Sequence, residues 1–179
     1  MSLRAALRYA KAVYSGAKES DTEEVVYGDM KSIADTLRDS KELKSVLESP
    51  QIKSEDKRAS LHAIFKGTSE ITKSLIDIVI DNGRAGLLGK IAQSYIKLHN
   101  DEHGIVTATV TTAIELDDAL ESKILAKIKE ITGSTQVILK HKLDTEILGG
   151  FILRVGDMQY DASVSNQLYR VHKEFSKRL

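Results

Sequence analysis

A change of hydrophobic period at Gly104 constrains this chain more than any other feature of its sequence. Before that residue, apolar side chains recur at helical spacing; after it they alternate with polar ones. The single proline, Pro50, leaves long stretches on either side free to be helical. The first helix is expected to bury a stripe of Leu3, Leu7, Ala10, Val13, Tyr14 and Ala17. Ser20 and Glu23 read as a capping box before a second stripe of Val26, Met30, Ile33 and Leu37. A short third helix with Leu43, Val46 and Leu47 stops at Ser49-Pro50. Ser54, Glu55 and Asp56 open a fourth, with Leu61, Ile64 and Phe65 buried and Gly67 as its stop. Ile71, Leu75, Ile78 and Val79 mark a fifth, ended by Asn82-Gly83. The sixth runs from about Arg84 through Leu87, Leu88, Ile91, Tyr95 and Leu98 to Gly104. The expectation for residues 1–104 is a six-helix bundle.

Beyond Gly104, Val106, Ala108 and Val110 alternate with Thr107, Thr109 and Thr111, the pattern of a half-buried strand within Ile105–Ile114. A helix is expected from Asp117 to Ile131, with Gly133 past its end. Thr135–Lys142 and Phe151–Val155 read as strands, and Gly156-Asp157 as a tight turn into Met158–Ala162. A last helix carries Val164, Leu168, Val171 and Phe175, with Arg170, Lys173, Lys177 and Arg178 beside them. That helix reads as core-packing, with partner contact the other reading. Residues 105–179 are therefore expected to form a small α+β domain, and the whole chain a mostly helical α+β fold.

Charge excludes some functions. Residues 1–104 hold 16 charges of each sign and residues 105–179 hold 10 of each, so neither part has the cationic excess that binds nucleic acid. The absence of cysteine removes thiol catalysis and thiolate metal sites, and fits a reducing compartment. No apolar run is long enough to span a bilayer, so a soluble chain is expected. The opening segment, with four basic residues before Glu19, has the amphipathic character of a transit peptide but is better read as the first helix of the domain.

No catalytic motif stands out in the sequence. His99-Asn-Asp-Glu102-His103 matches the H-x-x-E-H zinc signature formally, but reads as a solvated helix end without a third ligand. Gly83-Arg-Ala-Gly86-Leu-Leu-Gly89-Lys90 fails as a phosphate loop: Arg84 stands at the first glycine position and Ile91 where Ser or Thr is needed. No catalytic residue, cofactor or metal site is assigned. The small residues Ala5, Ala6, Ala10, Ala12 and Ala17 of the first helix would permit close approach of another helix, or simply favour helix formation.

The C-terminal string from Asp144 through Gly149-Gly150-Phe151 to Gly156-Asp157, continuing to Tyr160-Asp161-Ala-Ser163 and Gln167-Leu168, resembles the signature of the ATP synthase delta subunit family. The mitochondrial counterpart of that family is the oligomycin-sensitivity-conferring protein. Arg8-Tyr9-Ala10-Lys11-Ala12, Ser49-Pro50 with Lys57 and Leu61, Asn82-Gly83-Arg84 with Leu87-Leu88, and Tyr95 agree in order, so the resemblance spans the chain. Gly89 departs from the polar residue or proline common there in the family. The resemblance implies a non-catalytic stator subunit, taking part in ATP synthesis and hydrogen ion transport, peripheral on the cytoplasmic face of the cell inner membrane. It implies that residues 1–104 bind the catalytic head and residues 105–179 the b subunits of the peripheral stalk. A groove between the first and fifth helices would receive the N-terminal helix of a head alpha subunit. Carried over by position, it would involve Tyr9, Ala12, Val13, Gly16, Leu75, Ile78, Val79 and Asn82. Gly149, Gly150 and Phe151 would have a structural role. The alternative is a free-standing helical adaptor outside the synthase; an enzyme working through H-x-x-E-H ranks third.

Overall fold

The computed structural model describes residues 3–115, 117–134, 136–145 and 147–176. Its contacts divide the chain into two units, Met1–His99 and Asn100–Leu179, with the division inside the last turn of a helix. The architecture is α+β and mostly helical.

The first unit contains α1 (Leu3–Glu19), α2 (Glu23–Asp39), α3 (Lys41–Glu48), α4 (Ser54–Ile64), α5 (Glu70–Asp81), a 3-10 turn (Ala85–Leu87) and most of α6 (Leu88–Glu102). One apolar cluster holds them, centred on Val26, Met30, Ile33, Leu61, Ile76, Val79, Ile91 and Tyr95. The α1 stripe differs from expectation. Its buried residues are Ala6, Ala10 and Ala17, whereas Leu3 is 70% exposed and Leu7 41%. Alanine on the inner face brings the α1 backbone close to its neighbours, and that approach leaves no room there for leucine.

The capping box also resolves differently. Thr22 precedes α2 without a side-chain cap, and the Ser20 hydroxyl donates back to the Gly16 carbonyl. Lys53, not Ser54, stands at the N-cap of α4, and Ile64 faces solvent. Two tethers between helices were not visible in the sequence. The Asp29 carboxylate on α2 accepts from the Ser69 N–H, the Ser69 hydroxyl and the Thr72 hydroxyl, each at 2.8 Å, at the start of α5. Lys57 on α4 donates through Nζ to the Leu47 and Ser49 carbonyls, at 3.0 and 2.6 Å, satisfying the exposed end of α3 beside Pro50.

The second unit contains β1 (Val106–Thr112), α7 (Asp118–Thr132), β2 (Val137–Leu143), β3 (Phe151–Val155), β4 (Met158–Asp161) and α8 (Val164–Ser176). The sheet order is β2-β1-β3-β4. Val106 pairs with Val137 in the parallel β1–β2 register, so α7 is the crossover that parallel neighbours require. Ala108 opposes Val155 across the antiparallel β1–β3 pair, and Val155 opposes Met158 in the β3–β4 hairpin. Asp117 caps α7 by accepting from the Leu120 N–H, and Gly133 ends it in the left-handed conformation at φ +69°. Ile124 and Ile128 of α7 pack with Ala108, Val110, Leu153 and Val155 to form the core.

The α8 helix does not bury its expected stripe among the described side chains. Val164 is 39% and Leu168 60% exposed, with Tyr169 exposed beside them. The side chains of Val171 and Phe175 lie outside those described. The described core of this unit is formed by α7 and the sheet.

Candidate functional site

On α1, the buried alanines divide the helix surface into two edges. Leu3 and Leu7 lie on one; Tyr9, Ala12, Val13 and Gly16 lie on the other, at helical spacing. Ala12 is exposed, while Tyr9, Val13 and Gly16 are half-buried. On α5, Leu75 and Val79 are buried in the core, and Ile78 and Asn82 are exposed. These four occupy one flank of α5. The opposite flank carries Asp77 and Asp81, which pair with α4: Arg58 and His62 reach Asp77 at 3.1 and 2.9 Å, and Arg58 also pairs with Asp81.

The Asn82-Gly83-Arg84 corner joins this arrangement. Asn82 ends α5 with its side-chain amide donating to the Ile78 carbonyl at 2.7 Å. Gly83 takes φ +64°, which turns the chain into the 3-10 segment. Arg84 then reaches across to α1, where it bonds the Tyr9 hydroxyl. In the sequence Arg84 stands only within the Asn82-Gly83-Arg84 motif, and its partner Tyr9 is visible only in three dimensions.

The helix end at His99 is a correction to the sequence reading. His99 is only 2% exposed and Asn100 6%, so these two are not solvated as expected, while Asp101, Glu102 and His103 are exposed. The His99 ring stacks on Tyr27 of α2, with centroids 4.3 Å apart, and its Nε2 lies 3.3 Å from Glu24 Oε1. His99 extends the buried face of α6 one turn beyond Tyr95, where Tyr27 of α2 supplies an aromatic face for it. Nearby, Tyr95 is fully buried, donates to the Glu23 carbonyl at 3.3 Å and meets Tyr14 edge-on. Burial, with Glu23 beside it, raises the Tyr95 phenol well above its ordinary pKa and keeps it neutral.

In the second unit, Gly150 adopts φ +78°, and a Cβ there would collide with the Ala162 carbonyl oxygen and lie 3.1 Å from Ser163 Cα. Gly149 sits under Val164, to whose Cγ2 a Cβ would come within 3.2 Å. The two glycines let the start of β3 pass against the start of α8, and the Val164 N–H donates to the Gly149 carbonyl at 3.0 Å. Phe151 is half-buried against the sheet core and lies 6.2 Å from the Tyr160 ring. In the same unit, Leu148, Met158, Tyr160, Val164 and Leu168 are exposed apolar residues.

Neither surface carries an arrangement of nucleophile and base; both offer apolar side chains for contact. Comparison with known proteins is consistent in sequence and fold. The family profile described as ATP synthase delta (OSCP) subunit matches residues 5–175. A Christiangramia forsetii protein named ATP synthase subunit delta is 49% identical over 171 residues, covering 96% of this chain and 92% of the relative. A Flavobacterium psychrophilum protein of the same name is 43% identical over 175 residues, covering 98% of each. A chain in the Toxoplasma gondii mitochondrial ATP synthase hexamer shares the fold, with a TM-score of 0.75 over 95% of this chain and 96% of that one at 23% identity.

Proposed function

The chain belongs to the ATP synthase delta (OSCP) subunit family, a stator component of the synthase that is not itself catalytic, and we propose that it joins the catalytic head to the peripheral stalk through one surface on each unit. ATP synthesis and ion transport are the work of the complex. No helix among the described residues is long and apolar enough to cross a membrane, so its association with that membrane complex is peripheral. The cytoplasmic face of the cell inner membrane is the location that fits this role.

Residues 1–104 act as a six-helix bundle that grips the head, and residues 105–179 meet the b subunits. The N-terminal helix of a head alpha subunit lies along α1 and α5. Tyr9, Ala12, Val13, Gly16, Ile78 and Asn82 contact it, and Leu75 and Val79 support the surface from the core side. The observation that carries this reading is the unequal use of α1: its alanines fill the interior and leave the Tyr9–Gly16 edge open beside an exposed Ile78. A helix laid there gains apolar area and a fixed orientation, which a stator needs and an active site does not. The exposed surface around Gly149-Gly150 supports the corresponding stalk contact.

Ala12→Glu tests the head contact. A charge excluded from water at an interface costs roughly 3–5 kcal/mol, or about two to four decades in affinity. Because Ala12 is exposed, the fold should be unaffected. Calorimetry with an alpha-subunit N-terminal peptide should show that loss; unchanged binding by the folded variant places the contact elsewhere. In inverted vesicles lacking the subunit, ATP hydrolysis should persist while proton pumping collapses, and adding back the full chain should restore pumping. Pumping restored by residues 1–104 alone would overturn the two-ended reading.

A further inference from the structure

A cleft of about 490 Å³ lies in the first unit, on a different set of helices from the α1–α5 surface. Its floor is formed by Leu37 of α2, Leu47 of α3 and Ala85 of the 3-10 turn, and Gly86 and Gly89 keep one wall low. A Cβ on Gly86 would come within 2.9 Å of Glu48 Cγ, so any larger residue there would displace Glu48. The rim is basic: Arg38, Lys41, Lys44 and Lys90 line it, with Glu48 the single acidic lining residue. Arg38 already pairs with Asp35 and Asp39 at 3.0 Å. Among the described residues, Lys41, Lys44 and Lys90 make no ion pair, and all three are exposed. Three cations without an ion pair and one carboxylate, Glu48, thus surround an apolar floor in a chain of zero formal net charge.

We propose that this cleft receives an acidic amphipathic helix of a partner protein, with an apolar side chain seated over Leu37, Leu47 and Ala85 and carboxylates facing Lys41, Lys44 and Lys90. The volume suits a few inserted side chains. The cations stand on flexible stems around the rim, and no buried polar group converges on the centre as a small-anion site would require. An apolar centre with a charged rim is instead the arrangement of a protein interface, in which complementary charge sets encounter and register. This inference is independent of the head contact on α1 and α5.

The test uses the full chain and a fluorescein-labelled helical peptide with leucine at i, i+3, i+4 and i+7 and glutamate elsewhere. Its control replaces every glutamate with lysine. By fluorescence anisotropy at low salt, the acidic peptide should bind at least about tenfold more tightly than the basic one, and added salt should weaken it. The triple variant Lys41→Glu, Lys44→Glu, Lys90→Glu should lose at least about tenfold, with its helical circular dichroism unchanged. NMR amide shifts should centre on Gly86, Gly89 and Gln93. Gly89→Leu, which introduces bulk above the floor without changing charge, should also weaken binding. Failure of the acidic peptide to bind, equal binding by the triple variant, or shifts confined to α1 and α5 would overturn the proposal. Binding of oleate that displaces the peptide from these same amides, with affinity higher than the peptide's, would overturn it in favour of an anionic lipid.

Discussion

Arg84 holds Tyr9 twice: its Nη1 donates to the phenol oxygen at 3.0 Å, and its guanidinium carbon lies 6.0 Å from the centre of the same ring. The contact joins residues 75 positions apart and fastens α1 to the corner that ends α5. It explains why an arginine follows Asn82-Gly83: the turn aims a planar cation at the face and hydroxyl of a tyrosine.

Tyr9→Phe removes the hydroxyl and keeps the ring. It should destabilise the first unit by about 1 kcal/mol, read as a lower urea midpoint with unchanged slope. Arg84→Lys should not restore the missing hydrogen bond in that background. An unchanged midpoint for Tyr9→Phe would mean that the bond contributes nothing net.

The two faces of α1 should respond in opposite ways to changes of volume. Ala10→Leu inserts bulk against a closely packed neighbour and should cost about 1–3 kcal/mol. Leu7→Ala removes bulk from a side chain 41% exposed and should cost below about 0.5 kcal/mol. Thermal melts of the two variants check this; a larger loss for Leu7→Ala would put the leucine edge in the core.

Gly150→Ala combines an unfavourable left-handed conformation at φ +78° with collision against the Ala162 carbonyl. It should cost at least about 2 kcal/mol. Hydrogen exchange should show lost protection in β3 and β4 while α2 and α5 amides keep theirs. Equal protection in both units would contradict the local collision.

The second unit should also carry an acid-sensitive component. The Ser163 hydroxyl and then its backbone N–H hold the Asp161 carboxyl below its ordinary range, with Arg170 adding and burial opposing. A depressed folded pKa means that the stabilisation is complete above the unfolded value of about 3.9 and is lost as pH falls through the folded value. The stability difference between the protein and Asp161→Asn should therefore shrink from about pH 6 to about pH 3. Urea titrations at both ends check it; a constant difference would remove Asp161 as the source.

Element types were legible because each has its own hydrophobic period. The Val26–Met30–Ile33–Leu37 stripe is buried as the spacing predicts, and the β1 alternation places Ala108 and Val110 inside. Gly133 and the Gly156-Asp157 turn were readable for a related reason: left-handed backbone favours glycine whatever surrounds it. The contact residues were less legible. Leu75 and Val79 share a flank with Ile78 and Asn82 in sequence spacing, but the first two are buried and the second two exposed.

By itself, then, the sequence determined helices before Gly104, strands mixed with helices after it, and the string of glycines and aspartates that carries the family likeness. Those are properties of neighbouring residues along one chain. Only the tertiary structure decided that α1 buries alanine and exposes leucine, that Asp29 tethers the start of α5, that β1 and β2 run parallel, and that His99 stacks on Tyr27. Each depends on the distance between segments remote in sequence. A period names the face of a helix that is apolar; how closely the next helix approaches settles which side chains fit beneath it.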